Sequence, residues 1–355
     1  MERWRLFKET ERLLSTAEGL SIDDTLSFSV SHLSSPPILH LYRFVPSAIV
    51  GRYQDIEAAL RLDRCRERGV EYNRRSTGGG TVIMGPEVVA LGLGINLENP
   101  ALKGASMGKI FEIFAQVLSD ALTAFGIEAS FRPKNDLEVR GRKIAGLSAA
   151  AEDAKSILFH TSLIVDFDIE LMQDIINTPL IKLSDKGYSC FSQRMTAVKW
   201  EAKSDVTIWD VMESIEESFK RHFNIEFKEG NPTEEEVIKI QELIRERYTK
   251  KDWIFSKRHP RFRMGIGRVK TKGGLLEIYL SLSGASIQDI VITGDFFSTT
   301  KDINRLESTL KWTPVFKENI KKTIDSIWYK DMIYGIDPDI LTEAILKAKE
   351  SQVRL

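Results

Sequence analysis

The sequence predicts an α+β protein of two domains, and three observations carry that expectation. The chain has 355 residues, 42% hydrophobic and 28% charged, enough to bury a sizeable core and more than one typical domain holds. Residues 128–166 read as strands in succession rather than strands alternating with helices. Lys228-Glu229-Gly230-Asn231-Pro232-Thr233 has the composition of a linker, and beyond it three strands punctuated by glycine precede a mostly helical remainder. The expected division is a larger domain over residues 1–230 and a smaller α+β domain over residues 235–355.

In chain order, residues 7–19 have a helical pattern, and residues 39–44 and 48–50 read as short strands broken at Pro46. Residues 56–68 are helical in pattern, and residues 70–75 extend as a strand into a loop of three glycines, Gly78, Gly79 and Gly80. Residues 88–97 alternate with period two, with Val89, Leu91, Leu93, Ile95 and Leu97 on one face and Ala90, Gly92, Gly94 and Asn96 on the other. The bulky face belongs in a core, while the small face leaves room near the backbone for a packed helix or a ligand. Residues 107–125 form an amphipathic helix stopped by Gly126.

Strands follow at residues 128–131, 137–139, 143–150 and 157–165, with Arg140-Gly141-Arg142 turning the second into the third. If Ile144 faces the core, Lys143 and Ala145 face the other way. Residues 209–222 are a further helix, and Thr233 caps another whose first turn is Glu234, Glu235 and Glu236. Strands at residues 262–269, 275–283 and 287–294 are separated by Gly273-Gly274 and Gly284.

Lys and Arg number 50 against 51 Asp and Glu, so the net charge of −1 proposes neither nucleic acid nor an anionic membrane as partner, and any basic site is local. Cys65 and Cys190 are the only cysteines and are far apart, which argues against a disulfide scaffold or zinc site and suits a reducing cytoplasm. Cys65, among Arg64, Arg66, Glu67 and Arg68, reads as an incidental surface thiol. The start, Met1-Glu2-Arg3-Trp4-Arg5, lacks the apolar core of a signal peptide, and no apolar run approaches the roughly 18 residues that span a bilayer. A cytoplasmic protein is expected.

Two polar clusters carry the chemistry. Arg74-Arg75-Ser76-Thr77-Gly78-Gly79-Gly80 joins planar cations to backbone that can turn its N–H groups toward an anion, although Gly-Gly also marks plain turns. The second is Lys134-Asn135-Asp136-Leu137-Glu138-Val139-Arg140-Gly141-Arg142-Lys143-Ile144-Ala145-Gly146. It resembles the KxNDxxxxGRKIxG segment of lipoate-protein ligases, and the arginine–glycine run is similar to that family's other signature. Gly51-Arg52-Tyr53-Gln54 resembles its GRxQN segment, Phe159-His160-Thr161-Ser162-Leu163 its HHGTLL strand, and Ser192-Gln193-Arg194-Met195-Thr196 its SxRVTNL segment. Gly294-Asp295-Phe296-Phe297 resembles the GDFF of its accessory domain.

The resemblance implies a mixed β-sheet catalytic domain of the biotin/lipoate ligase type with a smaller C-terminal α+β accessory domain. It implies that lipoate is activated with ATP and Mg²⁺ to lipoyl-AMP, then passed to a lysine of a lipoyl carrier: an E2 lipoyl domain, an H protein or an H-like lipoate-binding protein. By motif position, Lys143 would contact the carboxylate and bridging phosphate oxygens. Asp136 would orient Mg²⁺ or the phosphates, and Asn135 would bond the nucleotide. Arg75 and the backbone of Gly78, Gly79 and Gly80 would hold the lipoyl carboxylate and phosphates, and Ala145 and Gly146 complete the adenylate-binding segment. Arg52 is a binding residue or a salt-bridge partner, and His160 a satisfied strand histidine or a catalytic base. The accessory domain would swing about a hinge at residues 228–233.

The chain departs from the family after the glycines, where Thr81-Val82-Ile83-Met84-Gly85-Pro86 has lost a polar pair, and at Thr161, which stands for glycine and narrows that strand. Cysteine-dependent octanoyltransferase relatives carry their nucleophile just before the lysine motif, where Phe131-Arg132-Pro133-Lys134 has none. A non-catalytic lipoate or nucleotide binder is a further alternative. A biotin-protein ligase is disfavoured because its GRGRRG loop is absent.

Overall fold

The structure, a computed structural model, describes residues 2–151, 155–177, 193–256 and 264–352. Cys190 and Ser192 therefore lie outside the described residues. Met1–Val50, Glu57–Thr77 and Thr81–Ile254 form one compact unit, and Gly51–Ile56, Gly78–Gly80 and Phe255–Leu355 form a second.

The strands of the first unit are β1 (Glu2–Lys8), β2 (Ile38–Tyr42), β3 (Ser47–Val50), β4 (Glu71–Arg74), β5 (Val82–Met84), β6 (Val88–Asn96), β7 (Ser130–Arg132), β8 (Asp136–Val139), β9 (Arg142–Ala150), β10 (Ser156–Ile164) and β11 (Ile225–Glu229). Eight of them make a mixed sheet in the order β11-β1-β2-β6-β10-β9-β8-β7, and β4-β3-β5 make a smaller one. The pairs of β1 with β11 and with β2 are parallel, and the remaining pairs of the large sheet are antiparallel.

The helix expected at residues 7–19 starts only at Thr16, and the first two of those residues end strand β1. Trp4 and Leu6 are buried at alternate positions in β1, which lies between β2 and β11. Helix α1 instead spans Thr16–His32, opened by a reciprocal capping box between Ser15 and Glu18. Its buried positions include Gly19, Ser21, Asp23, Asp24, Thr25 and Ser29, so the apolar stripe that marks a helix in sequence is broken by polar residues.

Helix α1 answers the question left open by the small face of β6. A Cβ on Gly94 would lie 2.4 Å from the Leu26 backbone, and one on Gly92 would lie 2.2 Å from the Asp23 carboxylate. A packed helix occupies that face. The opposite face carries the bulky residues and is covered by helices Met107–Leu122 and Ile208–Phe223, where Phe114 lies 4.4 Å from Phe159 and the Ser218 hydroxyl donates to the Val117 carbonyl at 2.7 Å.

The segment expected to be a linker is part of the large sheet. β11 pairs with β1, the Gly230 N–H donates to the Leu6 carbonyl at 3.0 Å, and the Arg5 guanidinium clasps Glu236 at 2.5 and 2.8 Å. Helix Glu234–Leu243 and the turn after it belong to the first unit, which closes at Ile254. Arg74, fully buried, fixes that end by donating to the carbonyls of Trp253 and Ile254 at 3.1 Å.

The second unit holds β12 (Gly265–Thr271), β13 (Gly274–Ser283) and β14 (Ser286–Gly294) as an antiparallel sheet backed by helix Pro338–Ser351. Gly265 and Gly267 let that helix approach, since their Cβ atoms would lie 1.9 and 2.0 Å from the carbonyl oxygens of Ala348 and Ala344. No helix among the described residues is long and apolar enough to cross a membrane.

Candidate active site

The register of the large sheet gathers functional groups in two rows on the face that α1 partly covers. His40, Gly92, His160 and Ser148 stand side by side across β2, β6, β10 and β9. Two residues along each strand, Tyr42, Ala90, Ser162, Gly146 and Asp136 form the next row, which reaches β8. Side chains two apart on a strand share a face, so both rows open to the same side.

Lys143 joins this face through an irregularity. Leu137 pairs with Ala145 but Glu138 pairs with Lys143, so Ile144 is an extra residue, a β-bulge. Simple alternation would put Lys143 and Ala145 on one face. With the bulge, Ile144 and Ala145 are both fully buried, and Lys143 turns to the side of Asp136 and Gly146. The Lys143 ammonium lies 2.7 Å from Asp136 Oδ1 and would be 2.9 Å from a Cβ on Gly146, whose missing side chain leaves its berth. Asn135 is held beside them: its side-chain amide donates to the Leu147 carbonyl at 2.8 Å, and its main-chain carbonyl accepts from the Leu147 N–H at 2.8 Å.

Asp23 reaches from α1 over Gly92 into the first row. His40 Nδ1 and the Tyr42 hydroxyl each lie 2.8 Å from its oxygens, and His160 Nε2 lies 3.1 Å away. Burial alone would push the Asp23 carboxyl up, but His160 and His40 override it and hold it down at about 2. Burial and the Asp23 charge together push the Tyr42 hydroxyl far above its usual range, which keeps it a donor. The other nitrogen of His160 is 3.5 Å from the Thr77 hydroxyl, which accepts from Arg75 Nε at 3.1 Å. Arg75 is buried, also donates to the Ile49 carbonyl at 3.3 Å, and is brought down to about 10 by its burial.

The structure therefore brings Asp136, Lys143, Gly146 and His160 onto one face, with Asn135 bonded to β9 just before Asp136 and Arg75 linked to His160 through Thr77. Ala145 points into the core. Thr161 also lies on the opposite face from His160 and is buried there, so alternation keeps it from narrowing this side of the strand. Gly78, Gly79, Gly80 and Arg52 fall in the second unit. There the Gly79 N–H donates to the Phe296 carbonyl at 3.2 Å, Tyr53 stacks on Phe296 at 4.9 Å, and Arg52 donates to the Ser256 hydroxyl at 3.1 Å. Cys65 is not a surface thiol: it is fully buried, and that burial pushes it up to about 11.

Asp23, His40 and Tyr42 escaped the sequence reading. The one signal for Asp23 is Gly92, a glycine inside a strand and therefore a mark of close approach.

Two family models match this chain, the lipoyl protein ligase A/B catalytic domain over residues 15–220 and the bacterial lipoate protein ligase C-terminus over residues 260–345. Among curated proteins, octanoyltransferase LipM of Bacillus anthracis is 25% identical over 267 residues, covering 68% of this chain and 95% of the relative. The Staphylococcus aureus LipM is 25% identical over 263 residues, with 67% and 94% covered. Among solved structures, a bipartite lipoate protein ligase from Thermoplasma acidophilum aligns with a TM-score of 0.64 at 24% identity, covering 74% of this chain and all of that one. LipL1 of P. falciparum, in complex with lipoate, aligns with a TM-score of 0.72 at 18% identity, covering 93% and 96%. Such identities speak for the fold. With the catalytic-domain model matched over residues 15–220 of 355, the chain belongs to the lipoyl protein ligase A/B catalytic domain family.

Proposed function

We propose that this enzyme activates lipoate with ATP to lipoyl-AMP and transfers the lipoyl group to a lysine of a lipoyl carrier protein. The observation that carries the reading is the Lys143 ammonium, turned by a bulge onto the face that holds Asp136 and His160. Attack of the lipoate carboxylate on the α-phosphate forms one P–O bond and breaks another as pyrophosphate leaves. Negative charge crowds at that phosphorus, and a preorganised cation lowers the barrier. Asp136 keeps the ammonium on the face until the anionic substrates compete for it. In the second step the carrier's amine attacks the acyl carbon, loses a proton, and AMP departs. The Asp23 carboxylate, ionised, keeps the His160 ring oriented beside this chemistry.

Magnesium carried on nucleotide phosphates needs only one or two protein carboxylates, and Asp136 would be the nearest to supply one. When bound it would neutralise phosphate charge. Among the described residues no group of three or more His, Cys, Asp and Glu is gathered as a metal cage. For the partner, the support is the Thermoplasma acidophilum ligase, described together with its E2 lipoyl domain.

The octanoyltransferase relatives favour a second reading, acyl transfer from a carrier thioester without ATP. One fact weighs against it. Those relatives account for 67–68% of this chain, whereas residues 260–345 match a ligase C-terminus. Cys65, the thiol among the described residues, is sealed and held protonated, so Cys190 is the thiol such a route would need. The test is lipoate-dependent exchange of labelled pyrophosphate into ATP, with octanoate and biotin as competing acids. Lys143→Ala is expected to lower exchange by about 10²–10³-fold. Absence of exchange in the native chain, with octanoyl transfer that Cys190→Ser abolishes, would overturn the ligase in favour of the transferase.

A further inference from the structure

We infer that Glu201 is a positioning residue for Lys143, a part assigned to it by none of the motifs. Glu201 ends the short helix Val198–Glu201, and its side chain is 1% exposed. It accepts a hydrogen bond from the Thr196 hydroxyl at 2.6 Å and pairs with the guanidinium groups of both Arg140 and Arg142. Burial would push this carboxyl up, but Thr196 and the two arginines hold it below its usual range, so the group is charged.

These partners bracket Lys143 from two sides. Arg140 and Gly141 form the two-residue turn between β8 and β9, both with positive φ, at 51° and 76°. A non-glycine residue is strained at such an angle, and the pairing of Arg140 with Glu201 secures it. Arg142 is the residue immediately before Lys143. On the other side, Met195 bridges Lys143, and the Thr196 N–H donates to the Lys143 carbonyl at 2.8 Å. One buried carboxylate thus ties the turn that leads into Lys143 to the segment that pairs with the Lys143 backbone. The bulge at Ile144 lies one residue further on, so the clamp fixes the start of the irregularity that aims the ammonium.

This inference rests on the reading of Lys143 as the cation that serves the reaction. In the full-length chain, E201Q keeps the shape and removes the charge. It is expected to lower kcat for pyrophosphate exchange by about 10- to 100-fold while KM for ATP and lipoate stays within about twofold. On a Lys143→Ala background the same substitution is expected to add no further loss. An equal loss on both backgrounds, or unchanged kcat, would overturn the proposal.

A second readout does not depend on activity. Acetylation of Lys143 by an amine-reactive ester, followed by peptide mass spectrometry, is expected to change rate in E201Q while Lys109 keeps its rate. Unaltered labelling of Lys143 would sink the positioning role by itself. If the native chain shows no exchange, the ligase reading fails and labelling alone decides on Glu201. Thr196→Val, which removes one hydrogen bond and no charge, gives the same pair of outcomes should E201Q fail to fold.

Discussion

Asp23 shows how much one side chain can be asked to do. It is a buried carboxylate between two imidazoles and a phenol, held down at about 2 against an ordinary value of 3.8. A carboxyl depressed in the folded state contributes stability that is present above its unfolded value and is lost as pH falls toward its folded one. The difference amounts to about 2 kcal/mol, lost between roughly pH 4 and pH 2. Urea midpoints across the range from pH 7 to pH 2 should therefore fall more steeply for the native chain than for Asp23→Asn. Equal slopes would show that the carboxylate is not the group being titrated. None of this was legible in the sequence, because Asp23 lies in a helix whose inner stripe is half polar and its partners stand on other strands. Lys143, Asp136 and Asn135 lie in one short motif, so the sequence could name them as candidates.

At the scale of elements, the contact of α1 with β6 decides the shape of the site face. Gly92 is the point of closest approach, and a methyl group there would sit 2.2 Å from Asp23 Oδ1. Gly92→Ala must push α1 outward or break the row of His40, Asp23 and His160, at about 1–3 kcal/mol. Gly230→Ala is the matched control, since nothing lies within 4 Å of its added methyl, and should stay within about 0.5 kcal/mol of the native chain. Thermal melts of the two variants check both expectations. The period-two pattern of β6 predicted a bulky face and a small one correctly. It did not predict which of two occupants the small face takes, because a strand's sequence does not contain the helix that docks on it.

For the whole molecule, the first unit ends later than the turn chemistry of residues 228–233 suggests. Glu236 holds Arg5, and Asp24 on α1 accepts from Tyr248 at 2.6 Å and from Arg247 at 2.7 Å. A chain ending at Ile254 should melt cooperatively, as followed by far-ultraviolet circular dichroism. One ending at Gly230 loses all three partners together with the helix that covers Arg5, and is expected to melt at a lower temperature than the longer chain. Identical melting of the two chains would return the boundary to residue 230. Gly, Asn and Pro in succession announce a turn, but a turn between a sheet strand and a helix of the same unit has the composition of a turn between domains.

The sequence by itself determined the strand and helix periods of most of the chain, the α+β class, and the ordered motifs that lead to the lipoyl ligase family. These are properties of contiguous residues, and local sterics and side-chain alternation suffice to express them. Only the tertiary structure decided that residues 2–8 are a strand, that Lys143 is turned by a bulge, and that Asp23 and Glu201 stand behind the site. Each of these depends on a partner distant in sequence: β2 and β11 for β1, β8 for the bulge, β6 and β10 for Asp23, and the β8–β9 turn for Glu201. A residue's neighbours along the chain carry no record of which strand will lie against it, so only packing can decide such positions.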